Sequence, residues 1–193
     1  MNINENEGRE SRDAVAAILL IVVESWAYVM ETFLHRGFGH RYMESRAGWG
    51  LCVLLGFTLC WEEHDVGPLV WFAAMYFALN LLHRLGYAWR RFRRELVHSG
   101  YTGWPHLHFL APRLDERQIK MWVEPPLAML AGSFICAANQ PLGVFILIGG
   151  FILFGKNGNE RDRDWQRVVA INDSLIESQL ATERFRGVAG FPS

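Results

Sequence analysis

"AVAAILLIVVESWAYVM", residues 14–30, opens with ten apolar residues in a row and meets its first carboxylate only at Glu24. A helix needs about 20 mostly apolar residues, within a range of about 17 to 25, to cross the hydrocarbon core of a bilayer. Extended to Leu34, this run is long enough. Residues 14–23 are apolar on every side, as are 144–154. A helix of a water-soluble bundle would interpose polar residues every third or fourth position. The reading therefore favours a helical membrane protein over a soluble bundle.

Four further windows repeat the signal: "AGWGLCVLLGFTLCW" (47–61), "VGPLVWFAAMYFALNLL" (66–82), "PLAMLAGSFICAA" (126–138) and "PLGVFILIGGFILFG" (141–155). The 193 residues are 51% hydrophobic and 20% charged, averages that a soluble domain could also show, so the segregation of charge between these windows decides the class. Apolar segments are expected over about 14–34, 42–61, 66–82, 119–138 and 141–155. The fourth reaches spanning length only if its helix continues upstream through "IKMWVE", with Pro125 and Pro126 kinking it. "NQPLG" (139–143) reads as a turn, with Pro141 in the first turn of the next helix. The expected fold is all-α: two antiparallel transmembrane hairpins preceded by one further apolar helix, an amphipathic helix in the loop between the hairpins, and a polar C-terminal helix. A polar tail (1–13), a membrane domain (14–155) with a basic loop (83–118), a helix (156–186) and a flexible tail (187–193) complete the plan.

Lys and Arg collect on the cytoplasmic side of membrane proteins. Arg36, Arg41 and Arg46, and the eight basic residues of 83–120, place both those loops inside. "EEHD" (62–65) and "NQPLG" carry no Lys or Arg and fall outside, which puts the C-terminus inside. Three arginines follow the first run, favouring an outside N-terminus and five spans; if 12–34 lies along the inner surface, four remain. The start, "MNINENEGRESRD", is acidic and no small-residue cleavage site closes the run, so a retained helix is expected.

Within the first run, Glu24, Tyr28 and Glu31 share a helix face. A carboxylate inside a span costs about 2.5 to 3.5 kcal/mol on insertion scales, and such groups often mark an ion path. The plainer reading slides both carboxylates to the interface. Gly48, Cys52 and Gly56, Ala74 and Ala78, and Ala128 and Gly132 recur at four-residue spacing, a pattern that lets membrane helices pack closely.

"RLGYAWRRFRRELV" sets Leu85, Trp89, Phe92 and Leu96 among Arg90, Arg91, Arg93 and Arg94, as expected of an interfacial helix on anionic lipid. The "HSGYTGWPHLHFLAPRL" stretch (98–114) reads as an irregular joint whose Tyr101 and Trp104 suit the headgroup layer or a partner; His98, His106 and His108 are its acid, base or ligand candidates. Trp165, Val169, Asn172, Ile176 and Leu180 form a narrow stripe on the C-terminal helix, suited to a partner.

No metal site is expected: His64 beside Glu62, Glu63 and Asp65 lacks spaced ligands, and Asp65 suits the cap of a helix starting at 66–68. Cys52, Cys60 and Cys136 lack CxxC spacing. No cofactor is expected either, since there is no phosphate-cradling loop, no nucleophile elbow and no pair of mid-span histidines for haem. Arginines interleaved with aromatics beside a span fit lipid rather than nucleic acid. The leading expectation is a small subunit of the bacterial inner membrane, its C-terminus cytoplasmic, that scaffolds or anchors a secretion, conjugation or transport complex through 83–118 and 156–186 without catalysis. An ion or proton transporter using Glu24 and Glu31 comes second, and an interfacial enzyme using the three histidines third.

Overall fold

The computed structural model describes residues 3–61, 63–93, 102–109 and 112–189, and divides the chain into two units, 1–156 and 157–193. Helix α1 (Ile3–Leu34) ends in a two-residue strand, β1 (His35–Arg36). Helices α2 (His40–Leu59) and α3 (Gly67–Phe92) follow. A second short strand, β2 (Trp104–Pro105), pairs antiparallel with β1, His35 opposite Pro105 and Arg36 opposite Trp104. A 3-10 turn (His106–Phe109) leads to α4 (Glu116–Gln118), a wide turn (Ile119–Val123), α5 (Glu124–Ala138) and α6 (Gln140–Ala189).

Among the described residues, four helices are long and apolar enough to cross a membrane: Ser11–Leu34, Gly67–Phe92, Glu116–Ala138 and Gln140–Gln179. The run at 42–61 does form a helix, but α2 is not one of the four, because Arg41, Glu44 and Arg46 crowd its first two turns. Several other boundaries move. The polar start is helical from Ile3, since nothing in it breaks a helix. The described part of the arginine segment, through Arg93, belongs to the end of α3, which continues to Phe92; the rest of that segment lies outside the described residues. The membrane run 141–155 and the polar helix 156–186 form one element, because a change of polarity is not a break in the backbone and no proline follows Pro141 before 189. The joint contributes a β ladder to an otherwise helical fold.

The fourth segment does extend upstream. Pro125 and Pro126 have no N–H to give to the carbonyls four residues back, and the preceding turn widens so that the Glu124 N–H reaches Ile119 O, a five-residue step. Asp65 accepts from the Gly67 N–H at 2.9 Å, while its carbonyl accepts from Asn139 Nδ2 at 2.7 Å, so the α2–α3 and α5–α6 tips meet.

Helices α1, α2 and α3 pack together around an aromatic core. Trp26 stacks on Phe145 of α6 at 4.6 Å and meets Phe57 of α2 edge-on at 5.3 Å. Helices α5 and α6 approach most closely at two glycines. A Cβ at Gly132 would stand 2.6 Å from Leu147 N, and one at Gly143 would stand 2.3 Å from Cys136 N. The surface of this unit is strongly apolar, with Trp71, Phe77 and Phe134 all more than half exposed.

Candidate functional site

Polar side chains gather inside unit 1–156, at the ends of α1 and α3 nearest the β ladder. Glu31 of α1 is 2% exposed. The Tyr42 hydroxyl of α2 donates to its Oε2 and Lys156 Nζ of α6 to its Oε1, while Lys156 also donates to the Tyr42 oxygen at 2.6 Å. About two helical turns earlier on α1, Glu24 receives Arg46 at 2.9 Å, and the Arg46 guanidinium lies 4.4 Å over the Tyr42 ring. Each carboxylate therefore has its own cation. Burying a charge is costly unless it is paired and hydrogen-bonded, and here three helices supply the partners.

Tyr28 completes the face: its hydroxyl donates to Asn80 Oδ1 at 2.7 Å, and Asn80 Nδ2 donates to Tyr76 O at 3.0 Å. The stripe of Glu24, Tyr28 and Glu31 thus turns toward α2, α3 and α6. Glu31 and Tyr28 are buried within the protein, while Glu24 is partly exposed.

A second pair sits at the joint. His35, the first residue of β1, and Glu124, the first of α5, are 3% and 1% exposed, with Nε2 2.8 Å from Oε2. His35 Nδ1 is 3.0 Å from Thr102 O, which can only accept, so Nδ1 carries a proton. Nε2 and Oε2 would repel without a proton between them, so the pair holds one more, an assignment made from the partners of the ring. Both ring nitrogens therefore have partners within the chain. Glu124 Oε1 is buried with no hydrogen-bond partner among the described residues.

The walls of this joint come from the stretch at 102–106. Gly103 has a φ of 89°, and a Cβ there would lie 2.9 Å from His35 Cβ, so glycine suits both the backbone and the space. Lys120 clamps the strand from the other side, donating to Gly103 O at 2.7 Å and Thr102 Oγ1 at 3.0 Å. Arg90 reaches from α3 to the carbonyls of Gly37 and Phe38, each at 3.4 Å. His106 faces this cluster. Partial burial, with Arg36 and His35 beside it, holds its imidazole below the ordinary histidine range, against a smaller opposing pull from Glu124.

The other sequence candidates are dispersed. Trp89, Arg91, Phe92 and Arg93 are exposed at the end of α3, and Trp104 is partly exposed on β2. His108 packs against Trp104 at 5.2 Å. Arg94, His98 and Tyr101 lie outside the described residues. Gly48, Cys52 and Gly56 fall on an outward face of α2, and Ala74 and Ala78 on one of α3, whereas Ala128 is buried with Gly132 on α5. Sequence reasoning missed His35, Tyr42, Asn80, Glu124 and Lys156. Asn80 and Glu124 carried the signal that singled out Glu31, a polar group inside a span.

What the fold and this interior define is a class, a helical membrane protein with four helices able to span and with ion pairs in its core. Among the described residues no three His, Cys, Asp or Glu side chains are grouped to hold a metal ion. No family model matches the chain, and neither curated proteins nor solved structures give a significant match.

Proposed function

We propose that this chain is a small integral membrane subunit that anchors or scaffolds a larger membrane complex and performs no catalysis of its own. The observation that carries the reading is the helix of the second unit, where Trp165, Val168, Ile171 and Leu175 are each 56 to 69% exposed. Charged residues surround that segment, Arg161, Asp162 and Arg163 before it, Asp173 within it and Glu177 just after it, so lipid is not its solvent. A protein surface is. The charge rule favours the cytoplasmic side for this helix and the joint, and the compact multi-span plan favours a bacterial inner membrane, with Arg91 and Arg93 at the anionic headgroups beside Trp89 and Phe92. Extraction in gentle detergent should yield the chain with a partner in fixed stoichiometry. Purification as a lone, monodisperse monomer would overturn the reading.

A second reading has a specific support, the burial of Glu31 with Lys156 and Tyr42 across three helices. Such a site suits a proton or cation route. Liposomes containing the protein would then show ion flux that Glu24→Gln or Glu31→Gln abolishes, and unchanged flux in both variants would exclude it.

A further inference from the structure

We infer that the helix of 157–189 pairs with the same helix of a second copy, as a parallel, in-register coiled coil with Asn172 facing Asn172. The inference rests on the assembly reading above and commits it to one partner.

Spacing supplies the seam. Trp165, Val168, Asn172 and Leu175 follow one another at intervals of three, four and three, the a–d–a–d pattern of a coiled coil, with Val169 and Ile176 along one flank and Ile171 along the other. All seven side chains are exposed on the helix. In this frame Leu175 and Val168 take d positions and Asn172 takes an a position. A lone asparagine at a is a poor neighbour for an apolar surface, because its amide would be desolvated without a partner. Facing its own copy, each amide can donate to the other's carbonyl, and this arrangement specifies register and two strands at some cost in stability.

The bilayer supplies the rest. Two heptads are too few to hold two free helices together in water. Two copies inserted the same way extend this helix from the same side of the membrane, so they meet parallel and at a raised effective concentration. Of the parallel arrangements, only the unshifted one puts the two Asn172 side chains at one height. An unrelated helical partner would need its own polar group at that height, whereas a second copy brings one by identity.

The test uses the full-length chain in native membranes, with Cys52→Ser, Cys60→Ser and Cys136→Ala removing the free thiols. Asn172→Cys places a thiol on the seam and Ser174→Cys places one on the far side of the helix. Mild copper-catalysed air oxidation should give a disulfide-linked dimer at 172 at many times the yield at 174, and adding Leu175→Glu to the 172 variant should remove it. Equal yields at both positions, or no dimer at 172, overturn the inference. A crosslink from 172 to a different polypeptide overturns it while leaving the assembly reading intact, and a chain that neither crosslinks nor co-purifies with anything defeats both.

Discussion

Phe77 in α3 and Trp165 in the second unit are almost equally exposed, at 62% and 69%, yet the two exposures mean different things. Phe77 belongs to a helix long and apolar enough to cross a membrane, where hydrocarbon can cover it without any partner. Trp165 follows Arg161, Asp162 and Arg163, charges that hydrocarbon would reject, so lipid does not account for its exposure in the same way. The interior differs in the same sense. Unit 1–156 keeps Glu31, Lys156, His35 and Glu124 inside, where each ion must find its counterion within the chain, while the described charged side chains of 159–182 stay in contact with water. Exposure therefore identifies a contact surface only after the surrounding solvent has been named.

The largest effect expected comes from the buried charge. Lys156→Met leaves Glu31 buried without its cation and should destabilise the unit by about 3 to 5 kcal/mol in a reversible unfolding titration in mixed micelles. Adding Glu31→Gln should recover most of the loss, because both charges are then gone. Next comes a test of what covers the outside. Phe77→Asp should cost about 2.5 to 3.5 kcal/mol in a membrane-insertion assay, and a negligible cost would mean that the α3 face is not in lipid. Helix contact follows: Gly132→Val should lose about 1 to 3 kcal/mol, because its Cβ meets the α6 backbone, whereas Gly56→Val meets nothing within 4 Å and should be near neutral.

A smaller effect concerns pH. His106 is held below its ordinary range, so the folded chain binds its proton less readily than the unfolded chain. Its contribution is intact above the unfolded histidine value of about 6.5 and declines as pH falls through that value toward the folded one. Unfolding midpoints should drop between pH 7.5 and 5.5, and by less in His106→Gln. The smallest is Trp165→Ser, expected to change the stability of a single copy by no more than about 0.5 kcal/mol in the same titration, since an exposed side chain has little to lose.

The sequence made the spans at 14–34 and 66–82 legible because charge is nearly absent from them, and the extension of the fourth segment through 119–123 because turn and proline signals lay downstream of it. The switch from "GGFILFG" to "KNGNERDRD" reads as the end of the membrane domain; the two compact units do divide beside it, at 156 and 157, but the helix runs on through it to Ala189, with no proline to stop it. Of the interior, the face of Glu24, Tyr28 and Glu31 was readable from helical spacing. Their partners were not: Arg46 and Tyr42 sit on another helix, and Lys156 lies 125 positions from Glu31. His35 and Glu124 are 89 positions apart and meet beside the β1–β2 pair, two residues each, too short to leave a periodic signal.

The wide turn at Ile119–Val123 fixes an angular phase along the fourth segment. An α-helix advances about 100° per residue, so the one additional residue in that turn sets where everything upstream of Glu124 points. Deleting Trp122 would remove that additional residue while Pro125 and Pro126 stay in place. It would also rotate Lys120 about a quarter turn away from Gly103 and Thr102. The contact of the fourth segment with the stretch at 102–103 thus depends on a residue count as much as on any side chain. A change of length there would act like a turned key, leaving each half sound and the fit between them lost.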